Sequence, residues 1–297
     1  MHMRLASGFE GEERQSCLSP LRFLFFALLL LTASPLLAHP PVSVVIDARG
    51  NVYYSDLEQV WRVAPNGTKS VAVPNVHTHE LSLDAQGNLF GEHLWYEGDA
   101  TKQWGHYVWK RDAAGRISKV IPNTRGFLSN YGFARDAAGN LYWPQRDKGE
   151  IRKRAPNGAI TRVVGELKAM RWLHATPAGT LYVIDGGDLV RVKNGRATRI
   201  ARDLMKTNAR RPHVALQHAI MGLWTDRAEN VYVADYAHGE VKRITPAGAV
   251  SVAHTSTLTW SPIGGAFAAN GDLWLLEATV GNAVRVRRVG MNSRRAP

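Results

Sequence analysis

Short runs of alternating apolar and polar residues recur along this chain, and six of them share one motif. A branched aliphatic or leucine residue, followed by an aromatic residue, comes directly after a tight polar turn, as in Asp47–Tyr53 (DARGNVY) and Asp136–Tyr142 (DAAGNLY). The turn centres lie 37, 52, 40, 50 and 42 residues apart, at Gly50, Gly87, Gly139, Gly179, Glu229 and Gly271. A recurrence near 40 residues is typical of repeat architectures, so the repeat predicts the fold before any single element does.

Each repeat predicts four short antiparallel strands. In the first repeat these are Val42–Ile46, Val52–Ser55, Gln59–Val63 and, after a second turn at Pro65–Gly67, Thr68–Val73. Two hairpin turns per repeat and the absence of a sustained helical period indicate an all-β fold. Six four-stranded units of this size predict a six-bladed β-propeller. The sixth unit leaves little chain for an outer strand after Ala283–Val289, so ring closure is the least determined part of the prediction.

The aromatic residue three positions after each turn has two interpretations. Because it occupies one register in all six units, we expect it to fill the wedge between neighbouring blades, and the alternative is an aromatic ligand-binding stripe. The six residues are Tyr53, Phe90, Tyr142, Tyr182, Tyr232 and Trp274.

The N-terminal segment predicts export. The apolar run Phe23–Leu31 is followed by small residues up to Ala38, which is typical of a signal peptide cleaved after residue 38. The alternative is an uncleaved membrane anchor. Cleavage would leave residues 39–297 as one propeller domain, periplasmic or secreted. The only cysteine, Cys17, would leave with the leader, so the mature chain would have neither a disulfide nor a cysteine metal ligand.

The net charge of +12 suggests an acidic partner. The positions of the basic residues narrow the range of possible partners. Arg62, Lys110, Lys153 and Arg243 occupy one register and are spread around the ring. Since no aromatic–basic interleaving or nucleic-acid motif accompanies them, we expect no nucleic-acid partner. The positive charge is compatible with binding to an anionic envelope surface. We also expect the protein to be a monomer.

The repeat units over residues 42–290 resemble NHL repeats. Together they are similar to the superfamily that includes gluconolactonase-like hydrolases and the peptide-amidating lyase. The resemblance implies metal ligands at the channel mouth, taken from the position eight residues before each turn. Here only His79 matches that pattern, because the six residues at this position are Val42, His79, Tyr131, Arg171, Met221 and Ile263.

Strand direction places this position on the same face as the position six residues after each turn. The long insertions Leu94–Gly105 and Arg202–Gln217 also fall on that face, called here the long-loop face, while the opposite, tight-turn face has only short turns. Binding sites usually lie on variable loops, so we expect the site on the long-loop face. The second unit is the exception because it has a histidine at both positions, His79 and His93. The bulky aromatic residues of its insertion suggest a lid over the site or a wall on which a ligand stacks.

Four residues are candidates for catalysis at this mouth. Arg171 would bind a carboxylate, His79 or His93 would act as base, and Tyr131 would donate or accept a proton. The alternative is that Arg171 pairs with the acidic residues Asp185 and Asp235 and that the histidines are packed or hydrogen-bonded.

A metal is a separate hypothesis. His77, His79, Glu92 and His93 are the candidate ligands of one divalent ion, Zn²⁺ or Ca²⁺. The sequence therefore predicts an exported propeller that binds a small polar or anionic ligand and hydrolyses or eliminates it. The alternative is a non-catalytic envelope or secreted protein that binds a protein or glycan partner.

Overall fold

The structure is a computed structural model that describes residues 40–126, 134–205, 214 and 218–290. The predicted signal peptide and the candidate residue Tyr131 lie outside these residues. The described chain forms 23 strands and one 3-10 turn, Arg146–Lys148. No helix in this part of the protein is long and apolar enough to cross a membrane.

The strands form six antiparallel sheets in chain order, which are the six predicted blades. The first three are β1–β4 (Val44–Ile46, Val52–Ser55, Val60–Val63, Lys69–Val73), β5–β8 (Leu81–Leu83, Leu89–Tyr96, Trp104–Arg111, Ile117–Arg125) and β9–β12 (Ala134–Arg135, Leu141–Gln145, Glu150–Arg154, Ile160–Val164). The others are β13–β16 (Met170–Ala175, Leu181–Asp185, Asp188–Lys193, Arg196–Ala201), β17–β20 (Ile220–Thr225, Val231–Asp235, Glu240–Ile244, Val250–Thr255) and β21–β23 (Ser261–Phe267, Leu273–Ala278, Val284–Val289). The all-β six-bladed propeller is thus confirmed.

The first strand of each sheet lies against the first strand of the next, and β21 lies against β1, so the ring is closed. In the described residues the sixth sheet has three strands where a four-stranded blade was predicted. Within this part of the chain the first and last sheets share no strand, so they meet by packing. Val42 and Val44 belong to one buried cluster with Ile263 and Leu275, and the Val42 N–H donates to the His79 carbonyl (3.1 Å).

The recurring turn is held by its aspartate. In the first unit, Asp47 Oδ1 accepts the N–H groups of Arg49 (2.9 Å) and Asn51 (2.8 Å), and Oδ2 accepts Asn51 Nδ2 (2.8 Å) and the Tyr53 hydroxyl (3.2 Å). The turn, the following asparagine and the aromatic residue are thus one hydrogen-bonded unit, which explains why they recur together. The motif aromatics are buried as predicted, except that Trp274 of the three-stranded sheet is only half-buried.

Candidate functional site

Glu92 is the centre of the exceptional second blade. It lies on β6 with 2% of its surface exposed, and its Oε1 accepts the backbone N–H groups of His79 (2.6 Å) and Glu80 (3.3 Å). Its second oxygen, Oε2, is buried and has no hydrogen-bond partner among the described residues. A buried polar atom without a hydrogen-bond partner lowers the stability of the folded protein. Its presence therefore indicates a role other than stabilising the fold.

A tryptophan beneath this segment holds it in place. The indole Nε1 of Trp109 donates to the Glu92 carbonyl (3.1 Å) and to the Thr78 hydroxyl (3.2 Å), and the ring is 1% exposed. Gly91 leaves the space for this ring, because a Cβ atom at that position would lie 2.3 Å from the indole. The backbone on both sides of Glu92 is therefore fixed by the core of the second blade.

His79 lies beside the Glu92 carboxylate, with its Nδ1 3.7 Å from Glu92 Oε1. The imidazole keeps 11% of its surface exposed. The ring of His77 stands edge-on to it at a centroid distance of 4.8 Å, and burial together with the neighbouring His79 lowers the pKa of His77. The structure thus brings three of the predicted residues, His77, His79 and Glu92, into one group.

His93 has a different role. Its Nδ1 accepts the N–H of His77 (2.9 Å), and its ring is stacked on Tyr107 (4.8 Å) and near Trp95 (5.9 Å). Burial and the positive charge of Lys119 lower its pKa, which favours the neutral ring. In that form the proton is on Nε2, so His93 is better suited to donate a hydrogen bond than to act as the base.

Glu80 places a second carboxyl group next to Glu92. Burial and the negative charge of Glu92 raise the pKa of Glu80 well above its usual range, and Arg146 opposes the rise. Glu80 therefore retains its proton to a higher pH than an ordinary glutamate does.

Arg171 has no counter-ion among the described residues. It lies half-buried on β13. Burial and the nearby charge of Arg146 lower its pKa. Arg146 Nη2 donates to the backbone carbonyl of Arg171 (3.4 Å), so a second cationic side chain lies near Arg171.

The acidic residues that were the alternative partners of Arg171 have other partners. Asp185 Oδ1 accepts the backbone N–H groups of Lys168 (2.9 Å) and Ala169 (2.6 Å). Asp235 is paired with Lys242 and with His238 Nδ1 (2.9 Å). The charge of Arg171 is therefore not neutralised by either carboxylate.

Arg146 was missed by the sequence analysis. It directly follows Gln145, which occupies the position six residues after the third turn, so only its adjacency to that position could have drawn attention to it. Its charge acts both on Arg171 of the fourth blade and on Glu80 of the second blade. Arg146 thus links the two halves of the candidate site electrostatically.

A channel-mouth metal of the kind that the resemblance implies does not fit these residues. At the expected ligand positions, Val42, Met221 and Ile263 are apolar and lie in one buried cluster. Nor do the described residues contain a group of three or more His, Cys, Asp or Glu side chains placed to hold a metal ion. The separate metal hypothesis for His77, His79, Glu92 and His93 stays a prediction, although His93 Nδ1 is already used by the His77 N–H.

The insertion of the second blade is a β-ribbon that extends β6 and β7, with Tyr96 paired to Trp104. Trp95 lies across Gly105, where a Cβ atom would approach its indole to 2.1 Å. The ring centroids of Tyr96 and Trp104 are 5.2 Å apart, and 43% of the Tyr96 surface is exposed. The aromatic side chains therefore contact one another as a rigid ribbon, which is compatible with the predicted stacking wall.

His174 lies away from this site, on the channel side of the fourth blade. Its Nε2 is 3.1 Å from the Thr225 hydroxyl, and burial lowers its pKa to about 4. The unfolded chain, with a histidine pKa of about 6.5, therefore binds the proton first as the pH falls.

We accordingly expect His174 to make the protein less stable as the pH falls from about 6.5 to about 4, by up to about 3 kcal/mol. Urea unfolding at a series of pH values measures this, with His174→Gln as the comparison because other histidines also titrate. Equal pH slopes for the two proteins would contradict the assignment.

Solved structures share this fold. A gluconolactonase of Xanthomonas campestris is 15% identical, with 84% of this chain and 87% of that one covered and a TM-score of 0.55. A streptogramin B lyase is 13% identical over 85% and 84% of the two chains (TM-score 0.50), and an auxiliary nutrient-binding protein of Bacteroides ovatus is 13% identical over 85% and 70% (TM-score 0.57).

No protein-family model and no curated protein sequence matches the chain, so the name NHL for its repeats stays a prediction. At these identities the likeness concerns the fold, which hosts enzymes and binding proteins alike. The chain is therefore a six-bladed β-propeller of the kind found in gluconolactonase-like and streptogramin-lyase-like structures.

Proposed function

We propose that the long-loop face binds a small polar or anionic molecule and hydrolyses or eliminates it, as a gluconolactonase-like hydrolase or lyase. The observation that carries the proposal is the charge of Arg171, which pairs with no carboxylate in the described part of the chain. A half-buried guanidinium of this kind, with the charge of Arg146 nearby, favours a negatively charged group of a ligand.

The chemistry would come from the second blade. Glu92 is held by backbone N–H groups and orients His79, which is then the base that takes a proton from the substrate or from water. Arg171 would bind a carboxylate of the substrate or stabilise negative charge that develops on its oxygen. Tyr131, the remaining candidate, would exchange a proton with the same ligand.

A second candidate is binding without chemistry. It is favoured by the apolar residues at the expected ligand positions and by the likeness to a nutrient-binding protein. In that case the same face would hold a protein or glycan partner. Under either function we propose an exported, periplasmic or secreted monomer.

The test uses a sugar lactone, glucono-1,5-lactone, and a streptogramin B as substrates, because these are the molecules that the names of the similar structures indicate. If the protein is an enzyme, we expect His79→Ala to lower kcat by about 100-fold or more. Arg171→Met should lower kcat/KM by about 10- to 100-fold, because Arg171 would stabilise the negative charge that develops on the substrate oxygen. Proton release and chromatography of the product measure both.

Arg199→Met is the matched control, since Arg199 lies on the outer strand of the same sheet as Arg171 and pairs with Asp188. It should leave the kinetic constants unchanged. Saturable binding without turnover would select the second candidate. Neither turnover nor binding by the wild-type protein would contradict both.

A further inference from the structure

The six inner strands line a cavity that the candidate site does not use. Its volume is about 530 Å³, which is within the range of small-molecule pockets. Its lining includes the first turn residues Asp84, Ala85, Asp136 and Ala137, so it reaches the tight-turn face. Of the positions proposed for the long-loop site, only Val42 borders it.

Arg135 is the cation of this cavity. It extends from β9, and its guanidinium carbon lies 4.4 Å from the centre of the Phe90 ring, which fixes the plane of the group. No described residue forms an ion pair with the Arg135 side chain. The cavity is therefore lined by an arginine whose charge no described residue pairs with.

Neither acidic side chain at the cavity wall forms an ion pair with Arg135. Asp136 accepts Asn140 Nδ2 (2.7 Å) and the Tyr142 hydroxyl (2.8 Å), and Asp84 accepts Asn88 Nδ2 (2.7 Å). Each carboxylate is thus engaged by its own turn.

Two further polar groups border the cavity. The imidazole of His174 is hydrogen-bonded to Thr225 and adds no charge near neutral pH, because its pKa is about 4. The indole Nε1 of Trp224, a residue that also lines the cavity, is buried without an acceptor among the described residues. Arg135 is the only lysine or arginine among the residues that line the cavity.

The rest of the wall is apolar, with Leu81, Leu83, Leu173, Leu223 and Phe267. Such a wall favours a ligand with a hydrocarbon body over a fully hydrated ion such as phosphate. We propose that the central channel binds a small carboxylate with an apolar body, entering from the tight-turn face, with its carboxylate on the Arg135 guanidinium. This site is separate from the proposed site on the opposite face.

Benzoate is the probe, and isothermal titration calorimetry measures its binding. We expect saturable binding to the wild-type protein and binding at least about tenfold weaker to Arg135→Met. Arg171→Met should bind benzoate like the wild type, which separates this proposal from the function of the long-loop face.

Arg62→Met is the matched control. Both Arg62 and Arg135 have a buried Nε without a hydrogen-bond partner among the described residues, but Arg62 does not line the cavity, so its loss should leave benzoate binding unchanged. If Arg135→Met does not fold, Arg135→Lys replaces it, because lysine keeps the charge without the planar fork and should bind more weakly than the wild type.

Three results would overturn the proposal. They are no saturable benzoate binding to the wild type, equal affinity in the Arg135 variant, or phosphate binding at Arg135 in preference to benzoate. An absence of saturable benzoate binding would mean that water alone satisfies the hydrogen-bond donors of the channel.

Discussion

Replacement of Gly264 by alanine is expected to destabilise the ring by about 3 kcal/mol or more. Gly264 lies on β21, where the last blade meets the first, and a Cβ atom there would be 2.0 Å from the Val42 carbonyl oxygen. The clash is with backbone, so no side-chain rotation can relieve it. Because closure depends on packing between β21 and β1, the added methyl group would push the first and last blades apart.

Chemical unfolding followed by circular dichroism measures the loss. Gly290→Ala is the matched control, since no atom lies within 4 Å of the Cβ position at Gly290. It should change the free energy of unfolding by less than about 1 kcal/mol. Equal stability of the two variants would show that the blades can separate at little cost, contrary to closure by close packing.

Removal of the Trp109 side chain should cost about 3–5 kcal/mol, because the indole is among the largest fully buried groups of the described chain. It should also disturb the candidate site. The indole Nε1 holds the Glu92 carbonyl and the Thr78 hydroxyl, and its loss leaves both groups with fewer partners. Trp109→Ala is therefore expected to lose stability and to weaken ligand binding at the long-loop face.

Trp61 provides the comparison for this variant. It occupies the same register in the first blade, is only half-buried, and donates its Nε1 to the Asp56 carboxylate (2.6 Å). Trp61→Ala should cost clearly less free energy of unfolding, and it should leave the second blade intact. Urea titration compares the two, and a Trp61 variant as unstable as the Trp109 variant would be evidence against the assigned role.

The sequence predicts that the second blade is unusual, but it does not predict how the side chains of this blade are arranged. His79 and His93 depart from the repeat at two marked positions, which the alignment of the six motifs makes visible. The alignment could not show that His93 Nδ1 is taken up by the His77 N–H, or that Glu92 anchors the His79 backbone. Those contacts join residues 13 to 16 positions apart, through the geometry of a loop that the repeat does not specify.

The channel cavity is a similar case. Arg135 is one of many arginines in a basic chain, and the sequence places it only at the end of an inner strand, directly before the third motif turn. It becomes distinct only because six inner strands surround it and because Asp84 and Asp136 are occupied by their own turns.

The sequence by itself determined the number of blades, the strand order and the wedge position of the aromatic residues. The physical reason is that a tight turn, its aspartate and the following aromatic residue interact within about seven residues, so each copy carries its own instructions. Only the tertiary structure shows how the three-stranded sixth blade closes the ring and which charged groups of the described residues lack an ion pair. Close contacts such as that of Gly264 with Val42 join residues from different blades, so the surroundings of Arg171 and Arg135 follow from the packing of the whole ring.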